Sequence, residues 1–206
     1  MKDNRLKEQM LKDIREALME KAVDAGGETS PSVGKSFIDD SEDLSVVFAM
    51  NFTQSGGTLY YCGSEKEIGA RIKEIQQRHG DITIGCASGN LTSFLGHLDV
   101  ANCSTCDNTK LYPLGAILCE ALIAWQGSIV ISSNLGLGNT IPSLFETTVV
   151  IAFTSQVVSD WEAANERLKQ LYPEYPGQIM VTHPASKAYR KGTQKLYLIL
   201  IEDEAN

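Results

Sequence analysis

The chain has 206 residues, 43% of them apolar and 21% charged, with a net charge of −8 and a pI near 4.9. That composition carries a core for one domain with an appendage and excludes wholesale disorder. The acidic balance argues against binding nucleic acid or an anionic membrane through a cationic face, and no apolar run approaches the roughly 20 residues that span a bilayer.

Residues 2–22 read as an amphipathic helix, with Leu6, Met10, Ile14 and Leu18 at i, i+4 spacing and Lys and Glu on the other face. No uninterrupted apolar stretch occurs there, so it is not a secretory signal. The helix either lies on its own domain, or binds a partner or forms a dimer contact. Five cysteines, an odd number, suit reduced thiols in the cytoplasm. Residues 23–43, rich in Gly, Ser and acid, read as a linker, and 44–206 as an α/β domain.

Within that domain, Leu44–Gln54 reads as a helix running into Ser55-Gly56-Gly57, and Thr58–Cys62 as a strand. Ser64-x-x-Glu67 is a capping box opening a helix that carries Ile68, Ile72 and Ile75 on one face. Asp81–Cys86 reads as a strand, Ser88–Leu98 as a short helix and Asn102–Lys110 as a loop. Two β-branched runs, Ile129–Ser132 and Thr147–Phe153, read as buried neighbouring strands around a Gly- and Asn-rich loop. Ser159-x-x-Glu162 is a second capping box, before a helix with Trp161, Ala164, Leu168 and Leu171 as its buried stripe. Gln178–Thr182 and Leu196–Glu202 are the last strands. Strands alternating with helices predict an α/β fold with a mostly parallel sheet flanked by helices.

Glu120 lies in an apolar run, LCEALIA, where a buried carboxylate must be paired, shifted in pKa or open to a cavity. It is therefore either a functional acid or half of an ion pair with Lys187 or Arg190. Gly127, in Trp125-Gln126-Gly127-Ser128, allows a close backbone approach or forms a bulge. Gly136-Leu-Gly138 lacks the third glycine of a dinucleotide fingerprint. It is either a plain turn or, with Ser132, Ser133, Asn134 and Asn139, a source of donors for an anion. His183 follows a strand and is a candidate pocket residue, while His79 and His97 read as structural. Cys103-Ser-Thr-Cys106 lacks the further ligands a zinc site needs and any helix cue for a redox pair, so it reads as ordinary thiols.

The run CEALIAWQGSIVIS resembles the signature of the lactate-utilisation (LUD-domain) family. Glu120 matches the family's first acid, Ile123-Ala124 its Ile-Ala and Gly127-Ser128 its Gly-Thr/Ser. Pro142 and Thr147–Ala152 match a proline before a β-branched strand, Val157-Val158 and Asp160 match the family's next helix, and His183-Pro184-Ala185-Ser186-Lys187-Ala188 echoes a late Gly-Pro-Ser-Lys/Arg-Thr-Ala segment. The likeness spans residues 44–203, and the sequence departs from it in several places. Trp125-Gln126 stands where the family has an acid, no Arg or Lys occurs between Ser133 and Pro142, and the Gly-x-His-Gly-Pro segment near the C-terminus is missing.

The resemblance implies the fold group of ribose-5-phosphate isomerase, glucosamine-6-phosphate deaminase and the CoA-transferases. It implies a cytoplasmic accessory component of L-lactate oxidation to pyruvate, working beside iron–sulfur oxidoreductase subunits. No cofactor of its own is expected, since four cysteines for a cubane cluster are not grouped. The implied site has Glu120 as acid or base, with Gln126, Gly127, Ser128, Asn134, Asn139, His183, Ser186 and Lys187 binding a small anionic metabolite. Two alternatives stand beside it: a stand-alone isomerase- or transferase-like enzyme on sugar phosphates or acyl-CoA, and a non-catalytic module that forms homo-oligomers through its N-terminal helix.

Overall fold

The computed structural model describes residues 43–107, 110–136, 145–186 and 195–203. The expected N-terminal helix and nearly all of the linker lie outside those residues. In chain order the described strands are β1 (Thr58–Cys62), β2 (Ile84–Cys86), β3 (Cys103–Thr105), β4 (Tyr112–Leu118), β5 (Ala121–Ile123), β6 (Ser128–Ser132), β7 (Phe145–Phe153), β8 (Val157–Val158), β9 (Ile179–Thr182) and β10 (Lys195–Ile201). The helices are α1 (Leu44–Gln54), α2 (Glu65–Arg78), α3 (Gly89–His97) and α4 (Trp161–Leu171).

The most continuous apolar runs make the centre. β7 and β10 are buried along almost their whole length, as parallel strands covered on both faces must be. They are adjacent inner strands of a six-stranded sheet ordered β1-β10-β7-β4-β2-β3, in which every pairing is parallel. One face packs on α2 and α3 through Ile68, Ile72, Ile75, Leu91 and Leu95. The other packs on Phe48 and Phe52 of α1 and on Leu122, Ile129 and Ile131 of a second sheet. This is the α/β architecture the sequence predicts, with helices flanking a parallel sheet.

The second sheet was not anticipated. It has four strands, β8-β5-β6-β9, with antiparallel β5–β6 and β6–β9 pairs. β6 and β7 are therefore not neighbours, contrary to the expectation for the two β-branched runs. After Leu118 the chain leaves the main sheet and turns through the hairpin β5–β6, and β7 then starts beside the amino end of β4, with Phe145 opposite Tyr112, so that the two run parallel. The outer face of this sheet packs Ala121, Ile123 and Val130 against Ala164 and Leu168 of α4.

Local signals hold with adjustments. α1 has the bounds its sequence indicates, capped by Asp43. Ser64 caps α2, but Glu67 bonds the Gly63 N–H at 2.9 Å rather than that of Ser64. Asp160, not Ser159, caps α4, accepting from the Ala163 N–H at 2.9 Å. A carboxylate both accepts the bond and complements the helix dipole, and the Ser159 hydroxyl donates to it. In the α4 stripe Ala164 and Leu168 are buried, whereas Trp161 and Leu171, the first and last residues of the helix, are 40% and 48% exposed. Residues 103–105, expected in a loop, form an edge strand on β2. Among the described residues no helix is long and apolar enough to cross a membrane.

Candidate functional site

Where β4 ends, Cys119 and Glu120 carry the chain from one sheet to the other. The Glu120 N–H donates to Val130 O at 2.8 Å, which fixes the residue beside β6. Its side chain is buried, and the residue is only 3% exposed. A buried carboxylate needs donors, and two hydroxyls supply them. Ser132, the last residue of β6, donates to Oε1, and Tyr172, just past α4, donates to the same oxygen at 2.8 Å. Ser132 Oγ in turn accepts the Asn134 N–H at 3.1 Å. Oε2 takes no hydrogen bond from the described residues.

Lys187 and Arg190, the ion-pair partners considered from sequence, lie outside the described residues. The donors that are described are neutral. Burial, then the bond to Glu120 and its charge, push the Tyr172 hydroxyl up to about 12. Tyr172 therefore remains a donor throughout the physiological range. Burial, reinforced by Glu120, likewise pushes the Cys119 thiol far above its ordinary value, so that thiol is inert.

Arg167 completes the surroundings. From one turn before the end of α4, its Nε donates to the Glu120 main-chain carbonyl at 3.0 Å and its Nη1 to Ser155 O at 3.1 Å. Neither Arg167 nor Tyr172 stood out in the sequence. Tyr172 opens Tyr172-Pro-Glu-Tyr-Pro-Gly177, a proline- and glycine-rich stretch that stops the helix, and Arg167 lies within the helix itself. Their only signal is that both lie near the C-terminal end of the helix following the glutamate's hairpin. The cluster sits at the carboxyl end of a parallel strand, where open α/β sheets hold ligands.

The other expected site residues divide between two places. Asn134 is exposed and tied to Ser132, close to Glu120. Gln126, Gly127 and Ser128 form the far end of the β5–β6 hairpin. With Ala121 opposite Val130 and Ile123 opposite Ser128, that turn lies about 10 Å from Glu120 at strand spacing. Gly127 has φ +59, and a Cβ there would sit 2.4 Å from Phe52 N. The close approach it permits is thus to α1 of its own chain, where the Asn51 amide also donates to Ala124 O at 2.9 Å and Trp125 O at 3.1 Å.

β9 runs from Ile179 beside Ser132 to Thr182 beside Ile129, so His183 and Ser186 lie at the hairpin end. There His183 Nδ1 accepts the Ala185 N–H at 3.1 Å, and Ser186 Oγ is enclosed without a hydrogen-bond partner among the described residues. Asn139 and Lys187 lie outside the described residues. Of the described candidates, only Asn134 is gathered with Glu120.

The CxxC pair does not act as a unit. Three residues apart along an extended edge, Cys103 and Cys106 point to opposite faces, Cys103 toward α2 and α3 and Cys106 toward α1. Cys103 instead meets Cys86 across the β2–β3 pair. A bond from Cys103 lowers the Cys86 thiol's pKa against the effect of burial, with help from Thr92, while that bond and burial raise Cys103. Among the described residues no three His, Cys, Asp or Glu side chains are grouped to hold a metal. His97 Nδ1 lies 2.7 Å from Ser93 O within α3, and His79 packs edge-on to Tyr197 with its pKa lowered by burial and Lys195. Both are structural placements.

No protein-family profile matches the chain. No curated protein matches it either. Among solved structures it is similar to a DUF162 family protein from Deinococcus radiodurans, with a TM-score of 0.57 at 9% identity, covering 78% of this chain and 96% of that one. DUF162 is the LUD-domain family, so the resemblance drawn from the CEALIAWQGSIVIS run is borne out at the level of fold.

Proposed function

We propose that the chain is a divergent LUD-domain protein that takes a small organic acid at Glu120, as an accessory component of L-lactate oxidation with iron–sulfur partners. The observation that supports this is the state of the Glu120 carboxylate. It is buried at the carboxyl end of a parallel strand, held on Oε1 by Ser132 and Tyr172, with Oε2 unengaged among the described residues. A carboxylate oriented through Oε1, with Oε2 open among the described residues, is suited to accept a hydroxyl proton. Oxidising lactate to pyruvate releases two electrons and two protons. Glu120 accounts for one proton, and the electrons and the other proton require an acceptor carried by partner proteins.

A tagged pull-down from the native host grown on lactate, with lactate-dependent dye reduction assayed on the eluate, tests the reading. Stoichiometric iron–sulfur partners, with dye reduction lost in Glu120→Gln, are expected. A lone, inactive protein from cells expressing a lactate system would count decisively against it. The same carboxylate favours one second reading, a stand-alone isomerase or transferase using Glu120 as its base. That reading requires purified protein to turn over a sugar phosphate or acyl-CoA without partners and to lose this turnover in Glu120→Gln.

A further inference from the structure

We propose that the free edge of β1 is a docking surface for a second copy of this chain. The two copies pair antiparallel about a two-fold axis at Tyr60, and their six-stranded sheets join into one. This interface does not depend on the reaction proposed above.

The edge is open and its free groups can be named. β1 ends the main sheet, and its only strand partner is β10. In a parallel pair the main-chain N–H and C=O of one residue point to the same side of the strand, and successive residues alternate. The Glu202 N–H donates to Cys62 O at 3.0 Å, so Cys62, Tyr60 and Thr58 turn their main-chain groups toward β10. Leu59 and Tyr61 therefore turn theirs outward. Among the described residues nothing bonds those four groups. The glycines that flank the strand have partners: the Gly57 N–H donates to Phe52 O at 3.1 Å and the Gly63 N–H to Glu67 Oε2 at 2.9 Å.

Edges that stay single are blunted by brevity, by a charge, by proline or by a bulge. The edge strands β3 and β8 have three and two residues, and β9 runs out toward Pro184. β1, Thr-Leu-Tyr-Tyr-Cys, keeps five residues in unbroken register with β10 and uses none of these devices.

The charges on either side of Tyr60 select the occupant. α1 turns back into β1 and α2 turns back from it, so both helices run opposite to the strand. Asp43 at the start of α1 and Glu65 and Glu67 at the start of α2 accordingly gather at the carboxyl end of β1, with Glu202 beyond the end of β10. Asp43 and Glu202 both act on the Tyr61 hydroxyl, which agrees with that placement. Arg78 at the end of α2 and Lys195 at the start of β10 lie toward the amino end. Lys66 and Glu146 are the minority charges at the two ends, and Glu74 ties Arg71 to Arg78 at 2.8 and 2.6 Å. A surface acidic at one end and basic at the other opposes a parallel copy of itself. It matches a copy turned through half a revolution, which is the symmetry of a closed dimer. A strand of unrelated sequence would not require that pattern.

The register follows. With the axis at Tyr60, Leu59 of each chain faces Tyr61 of the other as a hydrogen-bonded pair, and all four outward groups of each edge are used. Moving the axis to Leu59 or Tyr61 would set one of these residues against Gly57 or Gly63, whose N–H groups are already taken. Tyr60 then meets Tyr60 of the second copy as a non-hydrogen-bonded pair, with Cα atoms about 4.5 Å apart.

The test is sedimentation equilibrium of the full chain, for wild type and Leu59→Pro, with oxidative cross-linking of Tyr60→Cys and Leu59→Cys. Wild type is expected at twice the 22.5 kDa chain mass. Proline at position 59 removes an outward N–H and nothing from the ladder to β10, so Leu59→Pro should be monomeric and folded by circular dichroism. Mild oxidation of Tyr60→Cys should join two chains through position 60, as mapped by mass spectrometry of the peptides, because that pair lies within disulfide reach. Leu59→Cys should not cross-link through position 59, since its two copies stand diagonally, two residues apart along the pair. Should Leu59→Pro fail to fold, the cross-link at position 60 decides. A wild type that stays monomeric from dilute to concentrated solution overturns the inference, and is the result expected if residues 1–42 take the edge instead. A dimer that persists in folded Leu59→Pro, or that gives no cross-link at position 60, also overturns it and places the contact elsewhere, with residues 2–22 the next candidate.

Discussion

Tyr172 offers a direct check on the buried cluster at the scale of single residues. Tyr172→Phe removes one of two donors to Glu120 Oε1 and should lower unfolding stability by about 1–3 kcal/mol, read from urea denaturation at pH 7. The pH dependence has a definite sign. The Tyr172 hydroxyl is raised from its ordinary 10.0 to about 12 in the folded protein, so the folded state holds its proton where the unfolded state has lost it. Its contribution is complete below pH 10 and is lost as pH rises through about 12, and the pH 10–12 decline in stability should be shallower in Tyr172→Phe than in wild type. An identical decline in both would mean that the phenol is not held by the carboxylate. Gly127→Ala probes the hairpin end, since its Cβ would meet the α1 backbone at φ +59. A loss of about 2–4 kcal/mol is expected, and a neutral result would show that the hairpin does not press on α1 there.

At the scale of elements, strand parity decides what the cysteines can do. Cys103 and Cys106 lie on opposite faces of the main sheet, so mild oxidation with diamide should give no Cys103–Cys106 disulfide in the folded protein, as judged by peptide mass mapping. Finding that bond in folded protein would show that β3 is not paired as described. β4 makes its own demand at Gly115, where a Cβ would lie 2.2 Å from the Phe145 ring. Phe145 covers that glycine and meets Tyr112 edge-on, so the amino end of the β4–β7 pair closes by an aromatic lying over a missing side chain. Gly115→Ala should therefore lower the melting temperature by several degrees, whereas Gly96→Ala on α3, with open space at its Cβ, should not.

On the scale of the whole molecule, the parallel sheet is covered on both faces by described elements, α2 and α3 on one side, α1 and the second sheet on the other. A chain beginning at residue 43 should accordingly keep cooperative unfolding with a melting temperature within a few degrees of the full chain, measured by scanning calorimetry. A collapse of the transition would show that residues 1–42 supply part of the core. Solution mass of the same pair tests the oligomer reading, because dimerisation through residues 2–22 requires the shorter chain to be monomeric.

The local sequence determined what local physics controls. Leu44–Gln54 is a helix because it follows a capping carboxylate and ends at a run of glycines, and Ile68, Ile72 and Ile75 are buried because their spacing puts them on one face. The β-branched runs at 129–132 and 147–153 are buried strands, as their composition requires. Glu120 stood out because a carboxylate in an apolar run needs a reason. What the sequence did not specify is which strands pair, since an apolar run records burial and not its neighbour. Only the tertiary structure moved β6 into a second, largely antiparallel sheet, turned His183 and Ser186 away from Glu120, and set Cys103 and Cys106 on opposite faces. It alone brought Ser132, Arg167 and Tyr172 to the glutamate, from 12, 47 and 52 residues away. Contacts at that separation depend on how the layers stack, and no spacing rule along the chain encodes them.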